Sequence, residues 1–258
     1  MTRPGASAPG LTIRPSAPDM RVDVALSPAE YPAKALPARR AVLIDVIRAT
    51  TSIVVAFQRG CAGVIPVRTP EEALAARARL GDEAPLLCGE QGGLRIAGFD
   101  LGNSPREIVS APLAERRLIL CTSNGTRALA SLKGISELWV GALRNATAVA
   151  QVLARGTGDT LLACAGKNET FCLEDAVCAG AIVHALRAAE ASPVEASDAA
   201  AAAEILFLHH RADLLGMLRR AEWGQRITAM GFGEDLRLCA ELDAAPLAPR
   251  VREGYITL

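Results

Sequence analysis

The sequence predicts an α/β protein: a three-layer α/β/α fold with a largely parallel sheet and a helical C-terminal layer. Two observations carry this prediction. Short apolar runs alternate with segments of helical periodicity through most of the 258 residues, as in parallel sheets covered on both faces. Half of the residues are hydrophobic but only 3% are aromatic, so we expect a core of aliphatic side chains packed between layers.

Seven apolar runs predict the strands. They cover residues 22–26, 41–45, 63–67, 86–88, 118–121, 137–140 and 160–164. The first run alternates apolar and polar residues, as a half-buried strand does. The runs that end at Asp45, Cys88 and Cys121 are continuously apolar, which is typical of strands buried on both faces.

Helices are predicted between these strands. Capping-box patterns, each with Pro at the first helical position, mark helix starts at Ser27, Thr69 and Ser104. Ser197 or Asp198 caps an Ala-rich helix to about residue 211, and the helical layer continues from there. The other predicted helices cover residues 50–60, 69–80, 126–132, 146–154, 173–187 and 214–220.

Composition also suggests the domain boundaries. Residues 1–20 are rich in Pro, Ala, Ser and Gly without periodicity, so we expect a disordered tail there and a single domain over residues 21–258. Strand, polar loop, Thr-initiated helix, Gly and strand follow one another in residues 42–67 and again in 118–143. This echo suggests two related βαβ halves, although ordinary βαβ alternation would explain it equally well.

The charge balance argues against nucleic acid or a membrane as a partner. Acidic and basic residues number 28 each, so any anion must be bound locally. No apolar stretch approaches the length of a membrane span, and the N-terminus lacks the layout of a signal peptide. The seven Cys residues are scattered, which is typical of reduced cytosolic thiols. We expect a cytoplasmic protein, with a homo-oligomer left open.

Three loops that directly follow predicted strands carry the candidate functional residues. We expect these loops to converge, because the carboxyl ends of parallel strands line one edge of a sheet. The first loop contains Asp45, Arg48, Thr50 and Thr51, the second contains Glu90, and the third contains Cys121, Asn124, Gly125, Thr126 and Arg127.

The residue types in these loops suit the binding of a phosphate beside a divalent cation. Carboxylates such as Asp45 and Glu90 ligate hard cations, and Arg48 with the amides at a helix start can receive a phosphate. An Asp flanked by Ile44 and Val46 is costly to bury without a partner, which favours function over capping. A covalent aspartyl-phosphate would need a second Asp at position 47, where Ile stands, so a metal-activated water is the better hypothesis.

Further along the chain, three polar positions join the candidates. Asn103 continues the loop that contains Glu90 and could point into the site. Glu174 and Asp175 enter a helix after the last predicted strand. Carboxylates at a helix start are favourable to its dipole, so capping and function explain this pair equally well.

Cys121 and Arg127 also satisfy the Cys-x5-Arg pattern of cysteine-dependent phosphatases, in which a thiolate attacks phosphorus and Arg binds its oxygens. The residues between them can equally form an anion-binding nest without a nucleophile. A buried strand-end Cys is the third explanation. A cysteine phosphatase and a noncatalytic anion-binding module therefore stay open as alternatives to a metal-dependent phosphatase.

Taken together, these segments resemble the 2-phosphosulfolactate phosphatase family. The resemblance implies an α/β/α fold and Mg²⁺-dependent hydrolysis of 2-phospho-3-sulfolactate to sulfolactate and phosphate, a step toward coenzyme M. It runs in order from about residue 22 to the C-terminus. The matching residues are 44–51, 89–90, 98–105, 124–128, 164–166, 173–175, 178–180, 235–236 and 239–240.

With this resemblance we assign roles to the candidate residues as predictions. The family usually has Thr at position 121, so the Cys-x5-Arg match is accidental, and residues 167–170 are bulkier and more charged than in the family, which leaves the substrate open. The expected catalytic residues are Asp45, Arg48, Glu90, Arg127 and Asp175. The expected substrate contacts are Thr50, Thr51, Asn103, Asn124, Gly125, Thr126 and Glu174. The expected Mg²⁺ ligands are Asp45, Glu90 and Asp175.

Overall fold

The computed structural model describes residues 20–34, 38–81, 85–156, 158–189 and 194–258. The predicted N-terminal tail lies outside these ranges except for Met20, which already belongs to the first strand. No helix in the described ranges is long and apolar enough to cross a membrane. The cytoplasmic location stays a prediction.

The core of the fold is a mixed sheet of eleven strands in the order β5-β4-β6-β3-β11-β10-β7-β2-β8-β1-β9. All seven predicted strands are present. The strands are β1 (Met20–Ala25), β2 (Arg40–Ile44), β3 (Gly63–Val67), β4 (Leu86–Gln91), β5 (Leu94–Arg95), β6 (Arg117–Cys121), β7 (Glu137–Gly141), β8 (Thr160–Cys164), β9 (Val194–Ala196), β10 (Arg250–Arg252) and β11 (Tyr255–Thr257).

The C-terminal hairpin β10–β11 divides the sheet into two parallel blocks. One block is β4, β6 and β3, and the other is β7, β2, β8, β1 and β9. The pairs β7–β10, β10–β11 and β11–β3 are all antiparallel, so the two blocks run in opposite directions. The sequence analysis predicted that the carboxyl ends of all the parallel strands lie at one edge of the sheet. This prediction is wrong, because the hairpin reverses the direction of one block relative to the other.

The two segments of the sequence echo are arranged in the same way on the two sides of the hairpin. The two segments of the sequence echo form β2–α2–β3 and β6–α5–β7, and each crosses from one block to the other. As a result β2 pairs with β7, and β6 pairs with β3. The loops after β2 and β6 therefore occupy related places in the topology.

The loops of the two blocks meet although the strand order separates them. In a flat sheet the six steps from β4 to β2 would separate the strands by about 29 Å, and their carboxyl ends would point to opposite edges. Side chains from the two blocks are nevertheless in contact near the carboxyl ends, as the site shows below. Twist of consistent hand is normal in sheets, and we attribute the meeting of the two blocks to it.

Eleven α-helices lie among the described residues, with 3₁₀ turns at Pro28–Glu30 and Leu143–Asn145 and a π turn at Thr228–Phe232. They are α1 (Tyr31–Lys34), α2 (Ala49–Gln58), α3 (Pro70–Leu80), α4 (Pro105–Ser110), α5 (Gly125–Ser131), α6 (Ala146–Ala154), α7 (Leu173–Ala188), α8 (Asp198–His210), α9 (Leu214–Arg220), α10 (Glu222–Ile227) and α11 (Asp235–Ala240).

Helices cover both faces of the sheet, which confirms the predicted three layers. Along β2, Val42 and Ile44 face the apolar cluster of α6, α7 and α8, whereas Ala41 and Leu43 face α1 and α5. In the other block, α2 and α4 pack on one face and α3 on the other. The C-terminal helices α8 to α11 form the predicted helical layer.

The predicted caps have mixed outcomes. The Thr69 and Ser197 side chains accept the N–H groups of Glu72 and Ala200, as N-caps do. Ser27 makes no capping bond with its side chain, so the prediction there is wrong, and the segment begins as a short 3₁₀ turn. Pro28 alone is sufficient to start such a turn.

Candidate active site

Asp45 follows β2 directly and is buried, with 8% of its surface exposed. Its main chain is fixed by Thr50: the Asp45 N–H donates to Thr50 Oγ1 (3.1 Å), and the Thr50 hydroxyl donates to the Asp45 carbonyl oxygen (2.8 Å). The Thr51 hydroxyl donates to the Val46 carbonyl oxygen (2.8 Å). Both hydroxyl protons are therefore used within the loop, which positions the Asp45 carboxylate.

Asp175, in the first turn of α7, supports the same loop. One carboxylate oxygen accepts the Val46 N–H (2.9 Å), and the other accepts the Gly166 N–H (3.0 Å). Asp175 thus joins the loop after β2 to the loop after β8. Burial, and then the charges of Asp45 and Glu174, raise the pKa of Asp175 well above its ordinary value.

Arg48 links the site to the C-terminal helices. Its guanidinium donates to Asp235 Oδ2 (2.8 Å) and to the Gly93 carbonyl oxygen (2.7 Å), and it lies 4.6 Å from the centre of the Phe232 ring. Asp235 also accepts the Ser104 hydroxyl (2.7 Å). Two of the five guanidinium N–H donors are used inside the protein, so a phosphate contact would have to use the others.

Glu90 connects the second and third loops. It lies within β4, because that strand continues to Gln91 rather than ending at Cys88 as predicted. The Glu90 carboxylate accepts the N–H groups of Ser123 and Gly93, each at 2.7 Å, and the Ser123 hydroxyl at 3.2 Å. Glu90 therefore holds the loop after β6 against the β4–β5 turn.

The start of α5 touches the Asp45 carboxylate. A β-carbon at Gly125 would lie 3.0 Å from Asp45 Oδ2 and 3.0 Å from the Ala49 side chain, so a larger residue would displace one of them. The preceding loop is closed by two bonds: the Thr126 N–H donates to Thr122 Oγ1 (3.2 Å), and the Thr126 hydroxyl donates to the Thr122 carbonyl oxygen (2.6 Å). The loops after β2 and β6 thus meet at Gly125.

The buried carboxylates are only partly neutralised by their surroundings. Burial, and then the charge of Glu90, raise the pKa of Asp45 to about 7, although the Ala49 N–H and Arg48 act in the opposite direction. Burial also raises the pKa of Glu174, which is 3% exposed. Because desolvation and like charge both disfavour ionisation, this cluster attracts a proton or a cation at neutral pH.

A pocket of about 480 Å³ opens beside this cluster and is lined by Asn124, Arg127 and Tyr31 among others. Arg127 is exposed and Asn124 is half-buried. The pocket borders the carboxylates because its lining residues Asn124 and Ala165 directly precede Gly125, which faces Asp45, and Gly166, whose N–H binds Asp175. A larger cavity of about 700 Å³, mostly apolar, lies between α5 and the β10–β11 hairpin.

Asn103 lies behind the site, near Ser52 and Ser104. Its main-chain carbonyl oxygen accepts the Ser52 hydroxyl (3.1 Å), while its side-chain oxygen is buried without a hydrogen-bond partner. An unpaired buried acceptor costs free energy, so a water or a ligand donor is expected at this atom. The predicted role of Asn103 as a substrate contact stays a prediction.

Cys121 has the properties of a core residue. It is 4% exposed and packs with Val67, Ile96 and Phe99. Burial, and then the charge of Glu90, raise the pKa of its thiol to about 11. Nucleophilic cysteines need a lowered pKa, because the thiolate is the reactive form. These properties disfavour the cysteine-phosphatase alternative.

The donor set can be compared with what Mg²⁺ requires. Within the described ranges, no group of three or more His, Cys, Asp and Glu side chains is arranged to hold a metal ion, so Asp45, Glu90 and Asp175 do not form a complete cage. Mg²⁺ is usually held by one or two carboxylates, with waters and substrate phosphate completing its shell. Asp45 and Glu90, two buried oxygen ligands of like charge, fit that smaller requirement.

The sequence analysis did not identify Ser123 as a site residue. It included Asp235 only among the residues that match the family. Ser123 stands between two named candidates, and its position in the loop after β6 was the available signal. Asp235 pairs with Arg48 across 187 residues of sequence. A single Asp at the start of a helix predicts a cap, so no local pattern indicates this ion pair.

The fold and the site together define an α/β enzyme whose strand-end loops gather carboxylates beside the start of α5. The family model described as 2-phosphosulpholactate phosphatase matches residues 25–254, and the chain belongs to this family. The predicted family and the predicted class of enzyme, a phosphoric monoester hydrolase, are therefore confirmed.

Three relatives illustrate the similarity. They come from Symbiobacterium thermophilum, Parasynechococcus marenigrum and Synechocystis sp., and each is named "Probable 2-phosphosulfolactate phosphatase". They are 38%, 40% and 38% identical to this chain, respectively. The alignments cover 88%, 86% and 92% of this chain and 97%, 92% and 99% of the relatives. The similarity thus extends over nearly the whole length of each.

Proposed function

We propose that this protein is a Mg²⁺-dependent phosphatase that hydrolyses 2-phospho-3-sulfolactate, or a similarly small anionic phosphoester, to the hydroxy acid and phosphate. Family membership and the names of the relatives support the reaction and the substrate. One observation carries the metal dependence: Asp45 and Glu90 are both buried carboxylates, each with 8% of its surface exposed. In the part of the chain that the structure describes, neither carboxylate forms an ion pair.

Asp45 and Glu90 would hold the cation. When bound, Mg²⁺ neutralises charge that develops on the phosphate and lowers the pKa of a bound water. The protein contributes the position of these two ligands. Thr50 fixes the main chain of Asp45, while Ser123 and Gly93 fix the Glu90 carboxylate through their N–H groups.

The start of α5 would bind the anion. Asn124 and Arg127 line the pocket, and Arg can bind a phosphate or carboxylate with two parallel hydrogen bonds. The partial positive charge of a helix N-terminus adds to this attraction. Gly125 allows the helix start to approach Asp45 closely, so the anion and the cation would share one site.

Asp175 and Arg48 would act through the loop rather than on the substrate. Asp175 holds the Val46 and Gly166 amides, and Arg48 holds Asp235 and the Gly93 carbonyl. These contacts hold the loop that carries Asp45 against the loop after β8 and the C-terminal helices. Both residues therefore contribute to positioning in this proposal.

Phosphate release from a panel of phosphorylated hydroxy acids, with Mg²⁺ and with EDTA, tests the function. We expect release from 2-phosphosulfolactate with Mg²⁺ and none with EDTA. Full activity in EDTA would exclude the metal and favour the cysteine alternative. Tight binding of phosphoesters without turnover would favour a noncatalytic anion-binding module.

A further inference from the structure

Lys167 is a cation at the edge of the site, and no ion pair with an acidic residue is found for it among the described residues. It follows Gly166, the residue whose N–H binds Asp175 (3.0 Å). Its ammonium lies 3.8 Å from the centre of the Trp223 ring. Across the ranges that the structure describes, no carboxylate comes within ion-pair distance of this ammonium. An aromatic face stabilises a cation without neutralising it.

The turn that carries Lys167 is tightly closed. The Lys167 N–H donates to the Thr170 carbonyl oxygen (3.1 Å), and the Lys167 carbonyl oxygen accepts both the N–H (2.9 Å) and the hydroxyl (2.6 Å) of Thr170. Asn168 and Glu169 have φ values of +50° and +64°, as both central residues of a type I′ turn require. This turn fixes the point from which the Lys167 side chain extends.

The turn borders the proposed substrate pocket. Ala165 and Glu169, on either side of Lys167 in sequence, line the pocket together with Asn124 and Arg127. Lys167 is close enough to Glu174 to lower the pKa of that carboxyl, while Glu174 in turn raises the pKa of Asp45. The turn also adjoins the carboxylate cluster directly, because Gly166, the residue before Lys167, binds Asp175 through its N–H (3.0 Å).

A second cation contacts the same aromatic ring. Arg226 lies 5.3 Å from the centre of the Trp223 ring, on the same helix as Glu222. Two like charges that lie against one ring repel each other, and burial, and then the charge of Arg226, lower the pKa of Lys167. An anion placed between them would relieve this repulsion.

We propose that Lys167, held on the face of Trp223 beside Arg226, binds the second anionic group of the substrate, its carboxylate or its sulfonate. This inference rests on the proposed function. This carboxylate or sulfonate stays on the hydroxy acid when the phosphate is released. Lys167 therefore determines the preference for phosphoesters that carry such a group. The alternative is that the Lys167–Trp223 contact only anchors the turn to the C-terminal helices.

Steady-state kinetics with Mg²⁺ on 2-phosphosulfolactate and on 2-phospholactate, which lacks the sulfonate, tests the inference. Lys167→Met should raise KM for 2-phosphosulfolactate about tenfold or more, because a charge-assisted hydrogen bond is lost, with kcat nearly unchanged. Lys167→Arg should retain most of the affinity. Lys133→Met, the same change at an exposed lysine beyond α5, is the control and should match the wild-type protein.

The two substrates identify the group that is bound. If Lys167 binds the sulfonate, only the KM for 2-phosphosulfolactate should rise. If it binds the carboxylate, both KM values should rise. In either case the inhibition constant of inorganic phosphate should stay within about twofold, since phosphate alone has no second group. Unchanged KM values in Lys167→Met would overturn the inference, and so would an equal loss for substrates and phosphate together with a lower Tm.

Calorimetric titration with sulfolactate separates this inference from the proposed function. If the wild-type protein releases no phosphate from either ester, the proposed function fails. Weaker sulfolactate binding by Lys167→Met, by about tenfold, would still support the inference. Equal affinity in the two proteins, or no binding by the wild-type protein, would overturn it.

Discussion

The loops after β2 and β6 have related backbones and opposite chemistry. In each, a Thr hydroxyl at the helix start donates to the carbonyl oxygen of the first loop residue: Thr50 to Asp45 (2.8 Å) and Thr126 to Thr122 (2.6 Å). The first loop places a buried carboxylate where the second places a hydroxyl. Because of this difference, the first loop can attract a cation, while the second loop can offer uncharged hydrogen-bond donors to an anion.

Contacts with the rest of the protein sharpen this difference. The loop after β2 is held from two sides, by Asp175 and by the buried Arg48–Asp235 pair, whose side chains are 3% and 2% exposed. The loop after β6 is held mainly by Glu90, and its cation, Arg127, is exposed. The first loop is therefore a fixed charge centre, and the second is the accessible side of the site.

The largest expected effect comes from removing the charge of the first loop. Asp45→Asn should lower kcat by about 10³-fold or more, because a metal ligand and a transition-state charge are lost together. Phosphate release measures it. Asp159→Asn, the same change at an exposed position, is the control. Turnover near the wild-type rate in Asp45→Asn would exclude Asp45 from the chemistry.

Breaking the support of the first loop should cost stability. Asp235→Asn leaves the Arg48 guanidinium buried without a counter-charge, so we expect a loss of about 3–5 kcal/mol in the free energy of unfolding. Denaturant unfolding measures it. Glu234→Gln removes the adjacent exposed pair with Arg237 and should change stability by less than about 1 kcal/mol. Equal effects of the two variants would show that burial of the Arg48–Asp235 pair does not increase its contribution to the free energy of unfolding.

The same comparison shows what the sequence could predict. Alternation of apolar runs and helical segments was enough for the seven main strands, since each has five or six residues and is mainly apolar. The hairpin β10–β11 was missed because its strands have three residues each. Glu253 and Gly254 form the two-residue turn between these strands, and both have positive φ, but of the two only Gly254 is a typical turn residue in the sequence.

The site was predictable where its residues follow strands and unpredictable where they pair across the fold. The loops that contain Asp45, Glu90 and Gly125 contact one another, as the sequence analysis expected, although the strand-end rule assumes strands that all run in one direction. The rule did not anticipate that the two blocks run in opposite directions. The contacts of Arg48 with Asp235 depend on how the C-terminal layer folds back, which no local pattern encodes.

A change on the accessible side should affect binding more than stability. Arg127→Ala should lower kcat/KM by about tenfold or more through the loss of a bidentate anion contact, with Tm nearly unchanged because the side chain is exposed. Kinetics and thermal unfolding of the same variant measure both. A large fall in Tm with unchanged KM would reassign Arg127 to the structure of α5.

The smallest effect is expected at Cys121. Cys121→Ser should keep kcat within about threefold of the wild-type value, because a buried thiol with a raised pKa supplies no thiolate. Phosphate release in the presence of Mg²⁺ measures it. Loss of turnover in a folded variant that still binds substrate would instead establish the cysteine mechanism.

The affinity of Mg²⁺ as a function of pH, measured by calorimetric titration of the wild-type protein and of Asp45→Asn, tests the central claim most directly. A cation must displace the proton that Asp45 holds below a pKa of about 7. Wild-type affinity should therefore rise about tenfold per pH unit from pH 5 to near 7 and then level off, while Asp45→Asn should bind weakly throughout. Wild-type affinity that does not change with pH, or that survives in Asp45→Asn, would contradict the account.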